Sequence, residues 1–136
     1  MIRILLSLLM LLPFLCSCAR TVDMGPGFSE LSAHFVQAVR WQDFPGASKF
    51  ITEDKRDAFL EQFPRNKDLH MVDARYERVA LDEDAGAAET ILYIEYYLLP
   101  SPTIKEWRWT QQWRRIDGKF PSGSLWLIQS SPPAFP

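Results

Sequence analysis

The 136 residues carry a formal net charge of -2, with 15 Lys and Arg against 17 Asp and Glu, a balance that lacks the concentrated basic surface needed to bind nucleic acid. That length fits one domain with a core of ordinary size once any targeting segment is subtracted. The two cysteines stand at positions 16 and 18, so the rest of the chain has neither an intramolecular disulfide nor a thiolate metal site, and its stability must come from packing.

Met1 to Arg3 supplies one positive charge, and Ile4 to Leu15 is an apolar run of about a dozen residues, short of the ~20 that a spanning helix needs. This is the pattern of a signal peptide covering residues 1–17. Its end, Leu15-Cys16-Ser17-Cys18, resembles the lipobox of bacterial lipoproteins, in which an apolar and a small residue precede the cysteine that is acylated and becomes the first residue. Cys16, preceded by Pro13-Phe14-Leu15, lacks the small residue; an ordinary secretory peptide with incidental cysteines is the alternative. The resemblance implies a palmitate-class lipid on Cys18, a membrane partner through that lipid, and a tether over residues 18–27. Several acyl chains, at ~0.8 kcal/mol per buried CH2, exceed the two-signal threshold for stable anchoring. Ala19 stands where an aspartate resembling an inner-membrane retention signal would lie, which favours the periplasmic face of the outer membrane within the bacterial cell envelope.

After Gly25-Pro26-Gly27, Ser29 is the expected N-cap of a helix from Glu30 to about Trp41, with Leu31, Phe35, Ala38 and Val39 as its apolar stripe. Phe44-Pro45-Gly46 is expected to break it, with a short turn over Ala47 to Ile51. Thr52, Glu53 and Asp54 read as the cap and acidic first turn of a second helix, with Ala58, Phe59, Leu60 and Phe63 on its apolar side and Pro64 as its stop. Arg65 to Asp68 is a connector. From Leu69 to Leu81 the pattern is strand-like, with a parity slip that a β-bulge near Arg78 would explain. Asp82 to Ala87 reads as a hairpin loop. Glu89 to Leu99, Ile104 to Ile116 and Leu125 to Gln129 continue as a meander, with a longer loop over Asp117 to Ser124 and a proline-rich flexible tail over residues 130–136.

Four of the five tryptophans fall within this meander. Thr90, Leu92, Ile94, Tyr96 and Leu98 share one face of their strand, and Trp107, Trp109, Gln111 and Trp113 share one face of the next. Pairing Leu98 with Lys105 and Ile94 with Trp109 joins these rows on one side, leaving Glu95 beside Arg108 and Tyr93 beside Thr110 on the other. Helices first and an antiparallel sheet afterwards predict an α+β domain over residues 28–129, its N-terminal helices packed on a curved antiparallel sheet.

The order of elements is similar to that of the NTF2-like (SnoaL-like, ketosteroid-isomerase-like) family. Two segments carry the resemblance: Trp41-Gln42-Asp43-Phe44-Pro45-Gly46-Ala47, and Trp113-Arg114-Arg115-Ile116-Asp117-Gly118-Lys119 with Trp126 beyond. The resemblance implies a cone with a pocket at its open end and a possible homodimer through the outer sheet face, at Ile91, Tyr93 and Tyr97. An enzyme of this kind, an isomerase or dehydratase, needs a carboxylate base facing a hydroxyl donor in a dry cavity. Asp73 or Glu95 could be the base and Tyr76, Tyr93 or Tyr96 the donor, but none matches a catalytic motif residue by residue, and no catalytic residue is assigned. His34 and His70 lack metal-site spacing, and neither a metal nor another cofactor is expected.

The tryptophan row could stack cell-wall sugars, or it could be the core that two amphipathic helices must cover, each large aromatic bringing about 150–250 Å² to bury. The core reading makes Phe35, Trp41, Tyr96, Trp107, Trp109, Gln111 and Trp113 the candidate pocket residues, with a small apolar ligand between Phe35, Trp41, Trp109 and Gln111. The sequence thus points to a membrane-anchored envelope module that binds a protein partner or a small ligand without bond chemistry, with the enzyme and the sugar binder as alternatives.

Overall fold

The computed structural model describes residues 27–63, 67–117 and 124–135. The signal segment, Cys18, nearly all of the tether, Pro64 and most of the loop after Asp117 lie outside the described residues. Helix α1 spans Phe28–Arg40, α2 Phe44–Ser48 and α3 Glu53–Gln62; strands β1 Leu69–Asp82, β2 Ala87–Leu98, β3 Ser101–Ile116 and β4 Leu125–Ile128 follow. The strands form one antiparallel sheet in the order β1-β2-β3-β4. The fold is therefore α+β, with the helices on one face of the sheet.

Helix α1 begins earlier than expected. Gly27, in extended conformation, is its N-cap and accepts from Glu30 N and Leu31 N, so Ser29 lies inside the first turn. The cause is Phe28, buried edge-on against Trp113 and Trp126 with centroids at 5.5 and 5.1 Å. The expected helix breaker instead starts α2: the Asp43 carboxylate accepts from Gly46 N at 2.9 Å, and Pro45 sits in the first turn, where no backbone donor is required. Thr52 does cap α3, though without a side-chain bond.

Strand β1 carries two register shifts, between Met71 and Asp73 and between Tyr76 and Arg78. The second is the expected bulge; the first was not foreseen. Each extra residue flips the alternation. The first turns Asp73 and Arg75 outward and brings Ala74 and Tyr76 in, opposite Ile94 and Leu92; the second brings Val79 and Leu81 in, opposite Thr90 and Ala88.

The β2–β3 register is displaced by two residues from the expected one. Ile94 pairs with Trp107, Leu92 with Trp109, Tyr93 with Arg108 and Tyr96 with Lys105. The expected loop is a turn at Leu99 and Pro100, joined by a cis peptide bond, with β3 starting at Ser101. A displacement of two keeps every side chain on its face, so the aromatic rows still meet.

The core is almost wholly aromatic at its centre. Phe35 stands edge-on to Trp109 and Trp113, Phe59 stacks on Trp109, and Phe44 stacks on Phe63 at 4.5 Å. The tail expected to be flexible is part of this core. Phe135 packs against Phe63, Tyr96 and Trp107 with centroids at 4.7, 4.6 and 5.6 Å; its N–H donates to Gln62 Oε1, and Trp107 Nε1 donates to Ala134 O. An aromatic ring with an aromatic cluster in reach gains more by docking than a short proline-stiffened segment loses in freedom. Among the described residues every buried core residue lies between Phe28 and Ile128, with Phe135 packed on it, so a chain starting at Gly27 retains all of this described core.

Candidate functional site

The candidate pocket residues separate into a filled interior and one outlier. Phe35, Tyr96, Trp109, Gln111 and Trp113 are at most 1% exposed and Trp107 is 6% exposed. Phe35 lies 6.3 Å from Trp109 and 5.7 Å from Trp113, centroid to centroid. Phe35 is thus in direct ring contact with the indoles that it was expected to face across a ligand. Nor are the indole faces available to stack sugars. Trp41 departs from the expectation most: as the C-cap of α1 it is 74% exposed and makes no part of this interior.

Gln111 interrupts the aromatic row because it belongs to a buried polar relay. Thr90 Oγ1 donates to Gln111 Oε1 at 2.9 Å and accepts from Trp113 Nε1 at 3.1 Å. Gln111 Nε2, Trp109 Nε1 and the hydroxyls of Tyr76 and Tyr96 are buried without a hydrogen-bond partner. Burial holds the Tyr76 phenol well above its ordinary pKa, opposed in lesser part by the nearby Thr90 hydroxyl.

Tyr76 also lines an open groove. Between α1 and β1 runs a groove of about 610 Å³, lined by Ala33, Val36, Gln37, Arg40 and Trp41 from the helix and Ala74, Arg75 and Tyr76 from the strand. Ala33, Val36, Gln37 and Arg40 stand at positions i, i+3, i+4 and i+7 of α1, with the C-cap Trp41 next in line, so they share one face of the helix. The volume is within the usual range for small-ligand sites, ~300–1,000 Å³. Beyond Tyr76 the inner row continues with Val79 and Leu81, 52% and 42% exposed, because no described helix covers that end of the strand. At the groove's rim Arg40 Nη2 donates to Ala74 O at 2.6 Å and to Asp73 Oδ1 at 3.2 Å.

The outer face, where the resemblance implies a homodimer through Ile91, Tyr93 and Tyr97, is rich in charge. Tyr93 is 3% exposed, beneath the guanidiniums of Arg75 and Arg108 at 4.3 and 4.6 Å from its ring centre. Arg108 in turn is held by Glu77 and Glu106. Tyr97 stacks on His70 at 4.9 Å, and Ile91 is half-buried. The phenol of Tyr93 donates to Glu95 Oε1 at 2.8 Å and is pushed up to about 12 by loss of water contact and by Glu95 and Glu106.

A tyrosine and a carboxylate therefore do meet, but on this charged outer face. Asp73 and Glu95 are cross-strand partners there, whereas Tyr76 and Tyr96 face the interior, so the base and donor of an isomerase do not converge in a dry cavity. Asp73 is held below the ordinary carboxylate range, chiefly by the hydrogen bond from Arg75. His34 is exposed, and among the described residues no cluster of three or more His, Cys, Asp or Glu is placed to hold a metal ion. Among the described residues no helix is long and apolar enough to cross a membrane.

No protein-family model and no curated protein matches the chain. Among solved structures, it is similar to the crystal structure of a SEC-C motif containing protein from Psychrobacter arcticus, at a TM-score of 0.56 and 10% identity. The match covers 75% of this chain and 58% of that one. At that identity the likeness concerns the fold alone.

Proposed function

We propose that the chain is an exported lipoprotein, held at the bacterial cell envelope by acyl chains on Cys18, whose NTF2-like domain acts by recognition and takes a small ligand in the α1–β1 groove. The cone reading is supported by the order of elements and by the bulged β1, whose inner row ends in uncovered Val79 and Leu81. The anchor is supported by Leu15-Cys16-Ser17-Cys18, and the outer membrane by Ala19.

One observation carries the binding reading: the indoles are spent on the core, yet a large indole, Trp41, stands exposed at a groove of ligand size. An exposed tryptophan costs solubility and gives no core packing, whereas beside a groove it offers a rigid contact area to a ligand. Recognition without bond chemistry accords with the placement of Asp73 and Glu95 outside, engaged by arginines and by Tyr93.

The anchor is tested by Cys18→Ser, which should move the protein from the membrane to the soluble fraction and abolish labelling by a fatty-acid analogue. Binding is tested by tryptophan fluorescence of the chain from Gly27 onward against a panel of lipids and metabolites. A shift lost in Trp41→Phe supports the groove; no response to any compound removes it.

A further inference from the structure

The groove's lining is asymmetric in charge. Ala33, Val36, Ala74 and the rings of Trp41 and Tyr76 are apolar, Gln37 adds a neutral amide, and the charged group at the rim is Arg40, while Arg75 lines the groove from β1 with its guanidinium over Tyr93 on the outer face. No carboxylate lines it. Asp73 lies just around the strand edge and offsets part of that charge, bridging both guanidiniums. A guanidinium carries five donors in a fixed fork. Arg40 makes both of its bonds through Nη2, its side chain is 50% exposed, and so Nε and Nη1 are left at the groove's rim. The bonds to Asp73 and Ala74 O hold the fork in place beforehand, which reduces the ordering cost of binding a planar anion.

We infer that the groove takes an amphiphile with a straight apolar body and a single carboxylate head, the body along Ala33, Val36, Trp41 and Tyr76 and the head on Arg40. The inference rests on the binding reading above and narrows it to a ligand class. The open inner row at Val79 and Leu81 extends the apolar track past Tyr76, so a chain longer than the groove has a surface to continue on. Arg40 is the specificity-determining residue, because a carboxylate gains a charge-assisted fork there that an alcohol does not.

The test uses the chain from Gly27 onward, first shown by circular dichroism to unfold cooperatively, and three probes of equal chain length below their micelle-forming concentrations: decanoate, decanol and decyltrimethylammonium. Binding is read from the Trp41 indole signal by NMR, assigned with Trp41→Phe, and from calorimetry. Decanoate should bind about tenfold or more tighter than decanol, Arg40→Gln should erase that ratio, and Arg40→Lys should restore only part of it. Equal affinity for decanoate and decanol, or tighter binding of the cation, overturns the carboxylate class while the groove stands as a binding site. Failure of all three probes to move the Trp41 signal overturns the amphiphile class. Whether the groove binds anything is decided separately by the wider panel.

Discussion

The two edges of the sheet are finished differently. The β4 edge is four residues long and is closed by the chain itself: Ile51 bridges Ile128 in parallel, Thr52 N donates to Ile128 O, and Ile128 N donates to Phe50 O. The β1 edge is 14 residues long and is met by a side chain, Arg40, at Ala74 O. Bulges and the alternating charges Asp73, Arg75, Glu77 and Arg78 guard it against pairing with another strand. Permanent closure is thus built from backbone bonds and aromatic packing on one side. The other side keeps an open groove whose rim is held by polar side chains.

That comparison is broken most severely from within, at the aromatic core that the closed side shares with the helices. Trp109 is 1% exposed and touches Phe35, Phe59 and Trp107; Trp109→Ala should cost about 3–5 kcal/mol, read from the urea midpoint. Phe135→Ala uncovers Tyr96 and Trp107 from the tail side. Because that ring is only half-buried, the expected loss is about 2 kcal/mol, below the range for a fully buried phenylalanine. A tail without a structural role would leave the midpoint unchanged.

The closed side was also the more legible in sequence. The rows Leu92-Ile94-Tyr96 and Trp107-Trp109-Trp113 announce one covered face through a period of two, and a register error of two residues leaves that face intact. What sequence did not show is where two elements meet without a periodic signal. Phe135 follows prolines and looks like frayed chain, yet it docks because Phe63, Tyr96 and Trp107 happen to converge. Trp41 was placed inside with the other indoles by its type, but as the C-cap of α1 it is turned outward. The Val72 bulge has no signature of its own, but parity already sets Ala74 and Tyr76 on the apolar row with Asp73 outward; what is not legible is the groove that Tyr76 floors, because it needs the position of α1 as well. Arg40 gave no signal in sequence either: a basic residue in a last helical turn is ordinary, and its importance comes from the strand edge it meets.

Asp73→Asn sharpens the comparison on the open side. The Asp73 carboxyl is held below its ordinary value first by the hydrogen bond from Arg75, with the backbone N–H of Ala74 and the charges of Arg40 and Arg75 adding to it against burial. A lowered folded-state pKa contributes stability that is present above the unfolded value and is lost as pH falls through the folded one. Asp73→Asn should therefore cost at most about 1 kcal/mol at neutral pH, since the pair is partly exposed, and the difference from the natural chain should vanish in strong acid. Urea midpoints of both chains across the acid range measure it. A constant difference at all pH values would mean that packing, not charge, is what Asp73 supplies.

The smallest effect on stability is expected where the effect on function is largest. Trp41 is 74% exposed, and its backbone N–H reaches Gln37 O whatever side chain it carries. Trp41→Ala should thus shift the urea midpoint by no more than about 0.5 kcal/mol, the ordinary range for a surface position. The same substitution should abolish binding in the groove, because it removes the wall opposite Ala74 and Tyr76. Trp109→Ala gives the reverse pattern, losing stability with binding retained in the fraction that stays folded. Measuring both variants by both readouts separates the two sides of the sheet. If Trp41→Ala costs several kcal/mol, the indole is a structural part of the helix end and the groove loses its strongest support; if it costs nothing on either readout, Trp41 is an incidental surface residue.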